Sequence, residues 1–283
     1  MRETLTRVLR SYGLARGDAL AAEHPAITSP IAVTSRTDCD FDPDIWERGD
    51  THALAVSGIS RVVLNRLPAT TMPSLSPQTH NAGGGIAWRA VIAAPERTDD
   101  DTLDALHANG VRGIRFDIAS VTSTGLDPVL KLADRIVRYG WHIELNVATF
   151  GAYRALSKAE WSLMQFPVAV CFSGLSGFRH GRRADDADIG FLLGMMQLGR
   201  YWLRLTRDDL TPAQLKLWDE PSPLASALAG ARKDRLIWGS GKQATGDGSG
   251  HISASLAVLE RCIPHPADRA AILVDNPTAL YGF

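Results

Sequence analysis

Residues 32–42 read Ala-Val-Thr-Ser-Arg-Thr-Asp-Cys-Asp-Phe-Asp, and the way this run ends decides between two architectures. Its opening is rich in small and β-branched residues and suits a strand. An open, doubly wound sheet usually leaves its first strand through a GxGxxG turn. Here the strand ends in Asp38-Cys39-Asp40-Phe41-Asp42, with no glycine. Downstream lie further strand-like runs at 60–65, 86–94, 111–118, 141–148, 167–173, 201–206 and 234–240. Helix-like segments at 45–57, 101–109, 127–139, 158–165, 185–199, 222–232 and 251–262 separate most of them. Eight strands alternating with helices over about 250 residues is the arithmetic of a (β/α)8 TIM barrel. The expectation is an α/β fold with one barrel over 31–283. It adds an N-terminal helical extension over 1–30, with a short amphipathic helix at 3–14, and a C-terminal helical tail over 266–281.

Local signals support the division. Asp127-Pro128 reads as a cap followed by proline at the first helical position. Ser157-Lys-Ala-Glu160 has the form of a capping box. Gly110 is a helix stop. Between the second and third strands, Pro68, Pro73, Pro77 and Gly83-Gly84-Gly85 break any long helix. A loop over about 66–85 is therefore expected across the barrel mouth.

Composition excludes several classes. Hydrophobic residues make up 45% of the 283 and charged residues 22%, a globular usage rather than a disordered one. Thirty Lys+Arg against 31 Asp+Glu give a net charge of -1, which leaves no basic footprint for nucleic acid. No polybasic run or long apolar run points to a membrane partner. Charges at Arg2, Glu3, Arg7, Arg10, Arg16, Asp18 and Glu23 interrupt any signal-peptide core, so the expected location is cytoplasmic. Cys39, Cys171 and Cys262, odd in number and without CxxC spacing, read as reduced thiols.

Four blocks carry a resemblance: His107-Ala-Asn-Gly-Val-Arg-Gly-Ile-Arg-Phe116, Leu132-Ala-Asp-Arg-Ile-Val-Arg-Tyr-Gly-Trp-His142, Asp234-Arg-Leu-Ile-Trp-Gly239 and Val274-Asp-Asn-Pro-Thr-Ala-Leu-Tyr-Gly-Phe283. In this order and spacing they resemble the amidohydrolase superfamily, specifically its lactonase-like branch of pyrone-dicarboxylate and sugar lactonases. The resemblance covers about 36–283 and implies a distorted (β/α)8 barrel. It also implies a His-x-His pair ending the first strand, where this chain has Asp40 and Asp42. The family's sixth-strand His falls on Phe172, and its eighth-strand Asp falls on Gly241. A zinc site with imidazole ligands cannot be built from these residues. No cofactor is expected.

Strand alternation assigns the mouth. The fourth strand turns Arg115 and Asp117 inward; the fifth turns His142, Glu144 and Asn146. Arg204 and Thr206 come from the seventh, Asp40 and Asp42 from the first, and Ser240 from the eighth. So many charges cannot sit unpaired in a closed interior. Three arrangements satisfy them. One is an ion-pair network. Another is a metal-free pocket in which Arg115 and Arg204 grip a carboxylate ligand. The third is a hard-cation site on Asp38, Asp40 and Asp42. The resemblance and the polar mouth together point to a metal-independent hydrolase of a small carboxylated lactone or ester. Asp42 or Glu144 would be general base and Arg204 would stabilise the oxyanion. Arg115, Asp40, Asp117, Asn146, Thr206 and Ser240 would bind substrate. The alternative is a non-catalytic barrel that binds a ligand or partner, with Phe172 and the 66–85 loop plugging the mouth. Assembly as a homo-oligomer stays open. Weaker candidates are a Schiff-base Lys242, a basic patch His180-Gly-Arg-Arg183 and the thiol of Cys171. No GxSxG nucleophile elbow is present.

Overall fold

A computed structural model describes residues 36–41, 52–68, 86–95, 99–118, 125–147, 159–174, 186–206, 223–241 and 249–283. Eight strands follow in sequence: β1 (Arg36–Phe41), β2 (Ile59–Leu67), β3 (Ala87–Ala93), β4 (Val111–Asp117), β5 (His142–Asn146), β6 (Val170–Ser173), β7 (Tyr201–Thr206) and β8 (Leu236–Gly239). All pair in parallel in the order β1 to β8. The sheet curls until β8 lies beside β1, forming a nearly closed barrel. The helices are α1 (His52–Val56), α2 (Asp100–Ala108), α3 (Asp127–Ile136), α4 (Glu160–Leu163), α5 (Asp186–Gln197), α6 (Pro223–Arg232), α7 (Ser249–Cys262), α8 (Pro266–Ala270) and α9 (Asn276–Tyr281). The expected barrel is therefore the observed one, and the open sheet is excluded. The 3–14 helix, the Ser157 capping box and residues 69–85 lie outside the described residues.

Alternation builds two cores. Outward-facing Val62, Leu64, Ala90, Ile92, Ile143, Leu145, Leu203 and Leu205 are buried with helix residues such as Leu103, Leu106, Leu132, Ile136, Leu192 and Leu193. α3 shows why it docks: Val129, Leu132, Ala133 and Ile136 recur at helical spacing and are all buried. Inward-facing Cys39, Val63, Val91, Cys171, Trp202 and Ile237 form a second cluster with Leu280 and Tyr281. The chain's last residues thus enter the barrel from its N-terminal face. Tyr281 is fully buried, edge-on to His142 at 5.1 Å between centroids. Arg61 and Arg89 each place a guanidinium 5.2 Å from the centre of the Phe283 ring. Arg61 donates to Thr278 Oγ1 (2.7 Å) and Arg89 to the Gly282 carbonyl (2.7 Å).

Element ends refine the expectations. Asp99 caps α2, its carboxylate accepting from Thr102 N at 2.9 Å, and Gly110 turns the chain into β4 at φ 88°. α3 begins at Asp127 itself, with Leu126 at the cap position and no side-chain cap bond. The acidic residue there sits in the first turn, where it faces the positive end of the helix dipole. The tail is helical but interrupted: a π-turn over Ala271–Asp275 separates α8 from α9. Most strands are shorter than expected, β6 covering only Val170–Ser173 against 167–173.

Among the described residues no backbone ladder joins β8 to β1, and side chains close this seam instead. Asp38 Oδ1 accepts from Ser240 N on the far side (2.9 Å) and from Asp40 N on its own strand (3.0 Å). Arg204 Nη1 donates to the Cys39 carbonyl at 3.3 Å. Gly239 makes the approach possible, since a Cβ there would lie 2.5 Å from Asp40 Cβ and 2.7 Å from its backbone nitrogen.

Candidate functional site

The C-terminal ends of the strands carry a buried ionic cluster centred on Glu144. This side chain is completely buried yet accepts bonds from five donor atoms. Arg204 grips it in a fork, Nη1 to Oε2 at 2.6 Å and Nη2 to Oε1 at 3.0 Å. Arg115 Nη1 adds a bond to Oε1 at 2.7 Å, Ser173 Oγ one at 3.0 Å, and Asn65 Nδ2 one to Oε2 at 2.9 Å. Arg204 also lies 3.4 Å from Asp40. Burial alone would raise the Glu144 carboxyl, but the two guanidiniums and Asn65 bring it down to about 2. Glu144 is therefore an ionised structural anion with its lone pairs occupied. The general-base role expected for it does not fit that state. The oxyanion role expected for Arg204 does not fit either, because this guanidinium is 2% exposed and committed to Glu144, Asp40 and Cys39.

Arg115 differs. The two-pronged grip on Glu144 belongs to Arg204. Arg115 is tied by Nη1 to Glu144 and to Asn65 Oδ1 (3.4 Å), and its side chain is 13% exposed. Its Nη2 comes only within 3.8 Å of Asp117, beyond hydrogen-bond reach. Asp117 is 62% exposed at the strand end and accepts from Asn146 Nδ2 at 2.6 Å. Thr206 and Ser240 are buried beside the β7–β8 end, and His251 Nε2 donates to the Ser240 carbonyl at 2.8 Å. Asp40, Arg115, Asp117, Glu144, Asn146, Arg204, Thr206 and Ser240 thus lie at the strand ends named for them. Asp42, Lys242 and His180–Arg183 lie outside the described residues.

Two expectations change. Phe172 faces outward, stacked on Tyr201 at 5.8 Å between centroids, so it plugs nothing. Its neighbours Cys171 and Ser173 are the inward residues of β6. Cys171 is a fully buried thiol whose ionisation burial pushes up. The common face expected for Asp38 and Asp40 is broken, because an irregularity between Asp38 and Phe41 folds the Asp38 carboxylate back onto the strand. Burial raises Asp38 to about 6 despite its bonds from Ser240 and Asp40. Asn65 and Ser173 were missed; alternation along β2 and β6 places both on the inner face, and that signal was available.

Among the described residues, the donor set does not fit the metal that the family resemblance implies. Arg204, a permanent cation, holds both Asp40 and Glu144, the two buried carboxylates nearest it at the mouth. Among the described residues no three His, Cys, Asp or Glu side chains converge as ligands. No helix among them is long and apolar enough to cross a membrane.

Comparison with known proteins agrees with this architecture. A 4-sulfomuconolactone hydrolase of Hydrogenophaga intermedia is 26% identical over 190 residues, 64% of this chain and 60% of that protein. A 2-pyrone-4,6-dicarboxylate hydrolase of Comamonas testosteroni is 26% identical over 218 residues, 71% of this chain and 68% of its own. The chain thus spans about three fifths to two thirds of the length of these relatives. A crystal structure from Agrobacterium tumefaciens shares the fold with a TM-score of 0.67 at 17% identity, covering 88% of this chain and 96% of that one. Residues 77–283, well over half of the chain, match the profile of the Amidohydrolase family, and the chain belongs to that family.

Proposed function

We propose that the protein hydrolyses a small carboxylated lactone or ester without a metal ion, with Arg115 holding the substrate carboxylate. Arg115 carries this reading. Its Nη1 is pinned by buried Glu144, which fixes the plane of the guanidinium, while Nε and Nη2 hydrogen-bond to none of the described residues. A charged guanidinium so oriented is a forked receptor for a carboxylate. Arg204, Glu144, Asp40, Asn65 and Ser173 form the platform that keeps it in place. Asp117, Asn146, Thr206 and Ser240 surround the bound ring. Asp42, directly after β1, takes a proton from the attacking water, since Glu144 is committed to its donors. The relatives' names, both lactone-type hydrolases, support the reaction class.

A second reading, a barrel that binds such a ligand without turning it over, draws on the mutual neutralisation of Glu144 and Arg204. One experiment separates them: purified protein is assayed against carboxylated lactones with and without a chelator, beside Arg115→Met. Turnover that survives chelation and is lost in the variant supports hydrolysis. Saturable binding without turnover supports the second reading. Activity that needs added metal, or is indifferent to Arg115, overturns the proposal.

A further inference from the structure

The parallel register of β4 and β5 sets Arg115 opposite Glu144 and Asp117 opposite Asn146. Alternation puts all four on one face, so two cross-strand pairs lie one above the other at the mouth. The lower pair is ionic, with Arg115 Nη1 at 2.7 Å from Glu144 Oε1. The upper pair is not: Asn146 Nδ2, a neutral donor, bonds Asp117 Oδ1 at 2.6 Å. Asp40 and Glu144 are buried against Arg204. Asp117 is 62% exposed, and the one cation within 4 Å of it among the described residues is Arg115, whose Nη2 stays at 3.8 Å. A ligand held on the open side of Arg115 therefore meets the charge of Asp117.

Asp117 is also the nearest competitor for that side. A guanidinium pairs best with a carboxylate in two-pronged geometry, and the Asp117 carboxylate stands just short of contact. Asn146 opposes the closure. Its amide holds the same oxygen, Oδ1, that faces Nη2. Being uncharged, it restrains the carboxylate without cancelling its charge.

We propose that Asp117 selects substrates by charge: Arg115 takes one carboxylate, and Asp117 beside it turns away a second anionic group on the same ligand. Asn146 is the positioning residue that keeps Asp117 from closing on Arg115. This rests on the reading of Arg115 as the carboxylate receptor. Two like charges about 5 Å apart at a partly wet site weaken binding by about tenfold at low salt, and the penalty shrinks as added salt screens it.

The test titrates the full chain with benzoate and with phthalate, which carries a second carboxylate beside the first, at low salt and neutral pH. Benzoate should bind about tenfold more tightly. Asp117→Asn removes the charge, keeps an oxygen to accept from Asn146, and should abolish that preference. Asn146→Ala should weaken benzoate several-fold, because Asp117 then closes on Arg115. Adding Asp117→Asn to Asn146→Ala should restore benzoate binding, a rescue that a merely structural role for Asn146 does not give. Phthalate bound by the unaltered protein as tightly as benzoate, or a preference unchanged in Asp117→Asn, overturns the role of Asp117; loss of benzoate binding in Arg115→Met then leaves the Arg115 reading standing. Benzoate binding unchanged in Asn146→Ala overturns the role of Asn146. Benzoate bound by neither the unaltered protein nor Asp117→Asn, or held as well by Arg115→Met, overturns the Arg115 reading and this proposal with it.

Discussion

Arg204→Met removes the guanidinium that grips Glu144 in a fork and also faces Asp40. Methionine fills part of the volume but supplies no donor. Glu144, with no solvent contact, then keeps only the single bond from Arg115 and those from Asn65 and Ser173. A carboxyl normally near 4.5 and held at about 2 contributes about 3 kcal/mol to the ionised fold. Breaking a buried pair by removing one partner generally costs about 3–5 kcal/mol. Because the folded value is depressed, this stabilisation is complete above about 4.5 and is lost as pH falls toward 2. Urea unfolding at pH 7 should therefore show a loss of about 3–5 kcal/mol that narrows by pH 3. Arg115→Met leaves the fork intact and should cost only about 1–2 kcal/mol. Glu144→Gln in the Arg204→Met background removes the stranded charge and should recover part of the loss. An Arg204→Met protein that loses under about 1 kcal/mol, or no more than Arg115→Met, refutes the view of Glu144–Arg204 as the ionic keystone of the mouth.

Other expectations follow from single contacts. Asp38 is fully buried with its carboxyl raised to about 6, so its contribution is present below about 3.8 and fades as pH rises through 6. Asp38→Asn keeps an oxygen to accept from Asp40 and Ser240, so it should be near neutral at pH 4 and should gain about 1–2 kcal/mol at pH 8, read from paired urea curves. Gly113→Ala would place a Cβ 2.4–2.9 Å from three ring atoms of His142, and should lower stability by about 1–3 kcal/mol while displacing the imidazole resonances. Gly239→Ala meets the backbone of Asp40 at 2.7 Å and should cost more, because the seam cannot yield as a side chain does. Phe283→Ala uncovers Arg61 and Arg89 and should loosen the tail, visible as faster amide exchange in α9 while the β4–β5 amides stay protected.

The period of the chain determined a great deal by itself. Eight apolar runs separated by helical segments leave few architectures that bury both faces of every strand, and the absence of a glycine turn after Asp38 removed the chief competitor. Alternation also sorted Arg115, Glu144, Asn146 and Arg204 onto one face of their strands, because successive side chains must point to opposite sides. Alternation sets a face and leaves the partner on a distant strand undetermined. Which of two arginines forks Glu144 depends on strand stagger, which brings Arg204 on β7 onto both oxygens and leaves Arg115 on β4 with one. Phe172 was misassigned because alignment to a family pattern was followed where β6 alternation points to Ser173. The irregularity in β1 breaks alternation locally and turns Asp38 from a mouth ligand into a seam clasp. The insertion of Tyr281 among strands from much earlier in the chain leaves no local trace, because an apolar tail reads the same on a surface as inside a barrel. Closure of the barrel decided those contacts, since only the closed ring brings β8, β1 and the C-terminus within bonding distance.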